Sequence, residues 1–273
     1  MATGGDTVIG DVFEWLADPA HWRSTNFDTG IWAQLGAHLQ YSAIALAIAL
    51  VIALPAGLWI GHTNKATWVV SVANAVRALP SVGLLVLLVV VIAPNFYGRT
   101  DAGYVIPTEI VLVLLAVPSI LANTVAGVQN VDRAVRDAAY GMGMTGPQVL
   151  LRVELPNALP LIFSGFRSAT LQVIATATIA SYVTLGGLGR FIYDGLAQQD
   201  YAQMISGGLL VAALALASDL LLALAQRYTV SRGITGRVRR SDQAGESGSA
   251  GAPDSRVAAI DQELATTTVS RPA

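Results

Sequence analysis

The chain has 273 residues, of which 53% are apolar and 12% charged, and its mean hydropathy is +0.56. A soluble domain carries about 25% charged residues, so this composition excludes a disordered chain and argues against a soluble enzyme. The net charge of −2 offers no basic field for a nucleic-acid partner, and the absence of cysteine, with only three scattered histidines, excludes disulfides and predicts no metal site.

In the N-terminal segment, residues 1–35, the aromatic side chains of Trp15, Trp22, Phe27 and Trp32 lie among acidic and polar residues. Aromatic rings in such a setting favour the membrane–water interface. We expect an amphipathic segment on the outer surface of a membrane, and a docking surface for an external partner is the alternative. The segment has acidic residues where a signal peptide has a basic start.

Five stretches are long and apolar enough to cross a hydrocarbon core of about 30 Å, which needs about 20 helical residues. They are His38–Ile60, Thr67–Ala93, Ile110–Val128, Ala158–Leu185 and Met204–Gln226. A buried helix of a soluble protein rarely reaches this length without charge. The hydropathy therefore predicts an all-α, polytopic membrane protein.

Lysine and arginine are distributed unequally between alternate loops. With the N-terminus outside, the external segments hold only Arg23, Arg99 and Arg190. The cytoplasmic segments then hold Lys65, Arg133, Arg136, Arg152, Arg227, Arg232, Arg237, Arg239 and Arg240. The positive-inside rule therefore predicts an external N-terminus and a cytoplasmic C-terminus.

The second predicted span is interrupted between Asn74 and Gly83. Arg77 is ionisable and Pro80 removes a backbone hydrogen bond, and irregular backbone at membrane depth persists only where protein or a water-filled cavity covers it. This favours a translocation pathway lined by Asn74, Arg77 and Pro80. The alternative is an arginine that reaches toward the interface beside a simple proline kink.

The fourth predicted span carries many polar residues for a membrane helix. Ionisable residues within a span are costly and are commonly functional. We therefore extend the candidate pathway to Arg167, Gln172, Thr176 and Tyr182, the last of which offers an aromatic face to a quaternary ammonium group. Interhelical hydrogen bonding is the alternative.

The polar loop between the third and fourth spans, residues 130–156, predicts two short helices on the cytoplasmic side. Asp132 is a suitable cap for the first helix, and Gly143 breaks the chain after it. Thr145 caps the second helix, which we expect to end at Pro156.

The C-terminal residues 231–273 begin with a basic run, Arg232–Arg240, that suits anionic lipid headgroups. The tail that follows lacks the apolar residues needed to order itself. The predicted division is an external segment at 1–35, a transmembrane domain at 36–230 and a basic stretch with a disordered cytoplasmic tail at 231–273.

The loop resembles the EAA motif of permease subunits of ATP-binding-cassette (ABC) importers, which reads Glu-Ala-Ala, three residues, Gly, nine residues, Ile-x-Leu-Pro. This chain has the same two spacings in Asp137-Ala138-Ala139, Gly143 and Val153-Glu154-Leu155-Pro156, with Asp in place of Glu and Val in place of Ile. Over roughly residues 10–230 the chain is similar to the osmoprotectant uptake branch of these permeases, which carries glycine betaine, choline, carnitine or proline betaine.

The resemblance implies a type I ABC importer permease fold with about five core transmembrane helices and a cytoplasmic coupling helix. It implies that a separate ATPase subunit binds the ATP and contacts the loop residues Asp137, Ala138, Ala139, Gly143, Val153, Leu155 and Pro156. A second permease subunit and an extracytoplasmic substrate-binding protein would complete the transporter in the bacterial cell membrane. Because the chain has no Gly-x-x-x-x-Gly-Lys loop, we expect neither a cofactor nor enzymatic activity of its own.

An ion-coupled secondary transporter is the alternative function. Such a protein needs intramembrane acids, paired half-helices in an inverted repeat and no ATPase-docking loop. Only Asp219 stands clearly within a predicted span, and Glu109 stands at the edge of one. A membrane-embedded enzyme is less favoured still, because the sequence has no GxSxG or HExxH motif.

Overall fold

The computed structural model describes residues 4–23, 30–96, 101–183 and 185–229, and within these ranges every regular element is helical. The α-helices are α1 (Gly4–Ala17), α2 (Pro19–Trp22), α3 (Ile31–Thr63), α4 (Trp68–Val76), α5 (Ser81–Ile92), α6 (Ala102–Gln129), α7 (Arg133–Gly141), α8 (Gly146–Val149), α9 (Leu155–Ala177), α10 (Gly189–Gln198) and α11 (Tyr201–Thr229). Short 3₁₀ helices occupy Ala93–Asn95 and Thr178–Val183, and a π-helical turn occupies Leu150–Glu154. The predicted basic stretch and tail lie outside the described residues.

The prediction of an all-α polytopic membrane protein is confirmed. In the described part of the chain, four helical segments are long and apolar enough to cross a membrane, namely Ile31–Thr63, Ala102–Gln129, Gly146–Val183 and Tyr201–Thr229. The bent pair Trp68–Val76 and Ser81–Asn95 makes a fifth if it is one span. The first of these helices begins at Ile31, which lies inside the predicted N-terminal segment of residues 1–35.

The second predicted span is a sharp corner between two helices. α4 ends at Val76, α5 begins at Ser81, and the two are bent by 85°. The cause is local, because Pro80 has no N–H with which to continue a helix and its ring disfavours helical geometry at Leu79. Pro80 itself is extended, with ψ at 112°. The break is therefore much sharper than a simple proline kink.

The core lies between α3, α6 and α9, whose buried alanine, leucine, isoleucine and valine side chains form one apolar cluster. Small residues let these helices approach closely. A Cβ atom on Gly57 would lie 2.7 Å from Thr124 Cβ, and one on Gly61 would lie 2.7 Å from Val128 Cβ. The GxxxG pattern of α3 is therefore a packing motif against α6.

We expect Gly57→Ala to lower the midpoint of thermal unfolding of the detergent-solubilised protein. The added methyl group overlaps Thr124 in a packed core, a change that costs about 1–3 kcal/mol. Gly36→Ala on the same helix is the control, because no atom lies within 4 Å of the added Cβ and alanine is the better helix former. Equal midpoints for the two variants would contradict close α3–α6 packing.

Two of the N-terminal aromatic residues, Trp15 and Trp22, pack where α10 meets α11, and Phe27 lies outside the described residues. The ring of Trp15 stacks on His21 at 4.3 Å and lies 5.5 Å from the ring of Phe191. Trp15 and Trp22 also cover a buried cluster that includes Ile31 and Phe191. Apolar contacts thus attach α1 and α2 to the helical domain, and the location of this segment on the outer surface stays a prediction.

Two buried side chains of α3 hold the glycine-rich turn that precedes α10. Gln34 Oε1 accepts a hydrogen bond from the Gly187 N–H at 2.6 Å, and His38 Nδ1 accepts one from the Leu188 N–H at 3.3 Å. Since Nδ1 is an acceptor, the proton of neutral His38 is on Nε2, which donates to the Ile174 carbonyl oxygen at 3.0 Å. Gly187 has a φ of +119°, which favours glycine at this point of the turn.

Candidate functional site

The loop between α6 and α9 begins with a capped short helix, as the sequence predicts. Asp132 Oδ1 accepts a hydrogen bond from the Ala134 N–H at 2.9 Å and so satisfies one of the free donors at the start of α7. The helix ends at Gly141, just before the predicted break at Gly143.

Gly143 is the elbow of the loop. The N–H groups of Met144 and Gly143 donate to the carbonyl oxygens of Ala139 and Tyr140, at 3.2 Å and 2.9 Å, which is the hydrogen-bond pattern of a Schellman motif. Gly143 has a φ of +83°, in the left-handed region that a side chain with a Cβ resists. No atom lies within 4 Å of an added Cβ at this position, so backbone conformation alone requires glycine.

The prediction that Pro156 ends the second short helix is wrong. Thr145 precedes α8, and its N–H donates to Gln148 Oε1 at 2.9 Å, as expected for a capping residue. The helix then passes through the π turn Leu150–Glu154 and continues as α9. Pro156 lies in the first turn of α9, where the missing N–H of proline is tolerated.

The predicted motif residues divide into an exposed and a covered set. Asp137, Ala138 and Gly143 are exposed, Val153, Leu155 and Pro156 are half-buried, and Ala139 is buried. Large apolar side chains beside the first set are also exposed, with Tyr140 at 48%, Met142 at 74% and Leu151 at 59%. We call Asp137, Tyr140, Met142 and Leu151 the outer loop surface. It combines one carboxylate with exposed apolar side chains, whose contact with water is unfavourable.

A buried ion cluster, His62–Arg136–Glu154, joins the loop to the membrane helices. The Glu154 side chain is 1% exposed, with Oε1 3.0 Å from Arg136 Nε and Oε2 2.7 Å from His62 Nδ1. Arg136 Nη2 also donates to the carbonyl oxygen of Val128, near the end of α6. A buried carboxylate needs a partner charge and hydrogen bonds. These contacts therefore fix α7 to the π turn, to α3 and to α6 together.

Sequence reasoning missed this cluster as a site. It treated Glu154 as the variable position of the loop motif and His62 as one of three scattered histidines. The available signal was a carboxylate between Val153 and Leu155, in a stretch whose neighbours are apolar, because a charge placed there needs a partner. Its histidine partner is 92 residues distant in the chain, so no local pattern identifies it.

Two predicted pathway residues, Arg77 and Gln172, meet at the corner between α4 and α5. Arg77 Nη2 donates to Gln172 Oε1 at 3.2 Å and to the hydroxyl oxygen of Ser119. Ser119 is buried and lies about 15 Å from the end of α6, counted at the rise of an α-helix. The guanidinium group therefore lies at membrane depth, and both of its partners are neutral.

Arg167 has a different environment. Its Nε and Nη2 donate to the two carboxylate oxygens of Asp219 at 2.9 Å and 2.8 Å, a bidentate ion pair between α9 and α11. This pair neutralises both charges within the helical domain. It also supplies the interhelical contact that was the alternative interpretation of the polar residues in the fourth span.

In the described part of the chain, the other predicted pathway residues form no side-chain hydrogen bond with Arg77. Asn74 is exposed on α4, and Pro80 is exposed at the corner. Thr176 lines a small cavity between α5, α6 and α9, together with Thr108. Tyr182 is 58% exposed, and its ring lies 5.8 Å from that of Tyr193. A role of these residues in the pathway stays a prediction.

Residues 53–232 match the protein family described as binding-protein-dependent transport system inner membrane component. The chain is 32% identical over 202 residues to the glycine betaine/carnitine/choline transport system permease protein OpuCB of Bacillus subtilis (strain 168), covering 74% of this chain and 89% of that protein. It is 33% identical over 198 residues to the osmoprotectant import permease protein OsmW of Salmonella typhimurium, covering 72% of this chain and 90% of that protein.

Solved structures share the fold. A chain of the MetNI methionine ABC transporter in an inward facing conformation superposes with a TM-score of 0.64 at 19% identity, covering 74% of this chain and 98% of that chain. A chain of an amino acid ABC transporter gives a TM-score of 0.58 at 18% identity, covering 72% of this chain and 92% of that chain. The expected type I ABC importer permease fold is therefore confirmed.

Proposed function

Because this chain belongs to the family of binding-protein-dependent transport system inner membrane components, the permeases of ABC importers, we propose that it imports quaternary ammonium osmoprotectants such as glycine betaine, choline and carnitine. The observation that carries the substrate proposal is 31–34% identity to permeases named for these three compounds. The match spans most of the length of each relative, and the loop motif and the fold agree with it.

We propose that a separate ATPase subunit docks on the outer loop surface. The sequence has no phosphate-binding loop, so the energy for import has to come from a partner that binds ATP. Met142 and Leu151 leave 74% and 59% of their surface uncovered, and neighbouring apolar side chains of this kind favour a protein contact. Asp137 adds a charge that can meet a cationic or amide-lined cleft.

The His62–Arg136–Glu154 cluster suits the loop to the transmission of movement. In an importer, ATP-driven closure of the ATPase shifts the permease between inward- and outward-open states. A loop attached by flexible chain alone would yield without moving the membrane helices. Here the ion cluster joins α7 to α3 and α6, so a displacement of the loop is passed to both helices.

The orientation in the membrane and the remaining partners follow from the proposal that the chain is an importer permease. We propose an external N-terminus, a cytoplasmic loop and C-terminus, a separate extracytoplasmic binding protein and a second permease subunit in a bacterial cell membrane. Arg77 supports a pathway beside the corner of α4 and α5, because a charged side chain at membrane depth requires protein or water around it rather than lipid. No cofactor is needed in this subunit, since ATP is bound by its partner.

Reconstitution tests the proposal. The chain, the second permease subunit, the ATPase and the binding protein are placed in vesicles, and ATP-dependent uptake of labelled glycine betaine, carnitine and choline is measured. We expect uptake of one or more of the three with ATP and none without it, whether or not ion gradients are present. Uptake driven by a sodium or proton gradient without ATP would instead support the secondary-transporter alternative, and uptake of none of the three compounds would contradict the substrate class.

A further inference from the structure

Arg77 differs from Arg167, the other arginine within the predicted membrane spans. Arg167 is neutralised by a bidentate pair with Asp219. Among the described residues, the Arg77 side chain hydrogen-bonds only to Ser119 and Gln172, whose side chains are neutral. The described residues thus leave one guanidinium charge at membrane depth without a counterion.

The hydrogen-bond donors of Arg77 are only partly used. A guanidinium group carries five N–H donors in a planar arrangement. The two hydrogens on Nη2 are directed to Ser119 and Gln172, so the Nε hydrogen and the two Nη1 hydrogens have no partner among the described residues. The two anchors hold one end of the planar group and leave the other end for a ligand that accepts hydrogen bonds and carries negative charge.

We propose that Arg77 is a carboxylate-binding group of the translocation pathway and that it makes this permease favour zwitterionic osmoprotectants over cations. The inference rests on the proposed function. Glycine betaine and carnitine each carry a carboxylate beside the quaternary ammonium group, whereas choline carries a hydroxyl group. A carboxylate accepts charge-assisted hydrogen bonds from a guanidinium group and offsets its charge. Choline brings a second positive charge and nothing to offset it.

A single-cysteine variant tests the proposal within one folded protein. The native chain has no cysteine, so Arg77→Cys introduces the only thiol of this subunit. Uptake of glycine betaine and of choline is measured in vesicles that contain the complete transporter, and the ratio of the two rates is compared with that of the native transporter. The ratio cancels differences in protein amount. The thiol is then modified with 2-aminoethyl methanethiosulfonate, which restores a cation, or with the sulfonatoethyl reagent, which adds an anion.

We expect the ratio of glycine betaine to choline uptake to fall about tenfold in Arg77→Cys, the size of effect that follows from the loss of one charge-assisted hydrogen bond. The aminoethyl group should raise the ratio again, and the sulfonatoethyl group should not. Lys65→Cys is the matched control, because Lys65 is exposed in the turn between α3 and α4 and the same change of charge should leave the ratio unaltered. The native transporter treated with either reagent controls for thiols of its partner subunits.

Three outcomes would overturn the proposal while the proposed function stands: an unchanged ratio in Arg77→Cys, equal effects of the two reagents, or a thiol that neither reagent reaches. Arg77→Gln provides a second variant, with the same tenfold fall expected. If neither variant reaches the membrane, Arg77 is a folding residue and the proposal fails. If the native transporter takes up none of the three osmoprotectants with ATP, the proposed function itself fails.

Discussion

Gly143→Val is expected to reduce ATP-dependent uptake by about tenfold or more, with a normal amount of protein in the membrane. The left-handed conformation at φ +83° costs an L-residue about 1–2 kcal/mol, and a β-branched side chain more. Since about 1.4 kcal/mol corresponds to a tenfold change in an equilibrium constant, the Schellman turn should become about tenfold or more less favourable relative to its alternatives. The second short helix is then displaced relative to α7, while the membrane helices still insert by hydropathy.

The measurement is substrate-stimulated ATP hydrolysis in reconstituted vesicles, together with retention of the ATPase during purification. Gly141→Val is the matched control, because no atom lies within 4 Å of an added Cβ there and its φ is not positive. Gly143→Asn should retain most activity, since asparagine tolerates the left-handed region. Native stimulation and native retention of the ATPase in Gly143→Val would remove the support for a docking loop.

Glu154→Ala is expected to be the most destabilising substitution in the loop. Removal of one partner from a buried ion pair leaves the other charge uncompensated, which costs about 3–5 kcal/mol. Arg136 would retain only its contact with the Val128 carbonyl oxygen, and His62 would lose the carboxylate 2.7 Å away. We expect a marked fall in the midpoint of thermal unfolding, and ATP hydrolysis that no longer responds to the loaded binding protein.

A double-variant comparison separates pairing from general damage. Glu154→Leu and Arg136→Leu should each lower the midpoint, and the variant that combines these two changes should lose less than their sum, since no buried charge of the pair remains. The exposed pair Arg190–Asp194 is the control, with side chains 46% and 45% exposed, and Asp194→Ala should change stability by about 1 kcal/mol or less. Additive effects at positions 136 and 154 would contradict a shared buried ion pair.

The sequence by itself determined the features that depend on neighbouring residues. Uninterrupted apolar length predicted the membrane helices, because the hydrocarbon core sets the number of apolar residues that a helix needs. Local signals also predicted the organisation of the loop: Asp132 caps its first helix, Gly143 forms its elbow and Thr145 precedes its second helix. Capping and left-handed turns involve residues within one turn of each other, so they can be predicted from neighbouring residues. Pro156 was misread because a proline signal is also compatible with the first turn of α9, which follows the π turn directly.

Only the tertiary structure decided which polar residues are partners. Arg77 and Gln172 are 95 residues apart in the chain, His62 and Glu154 are 92 apart, and Arg167 and Asp219 are 52 apart. Sequence reasoning found ionisable and polar residues in the spans, but a charge within a membrane helix is compatible with a pathway, an ion pair or an interhelical contact. The packing of α3, α6, α9 and α11 distinguished them, because the contacts of a side chain depend on which helices lie beside it. It neutralised Arg167, buried Glu154 and gave Arg77 no counterion among the residues that the structure describes.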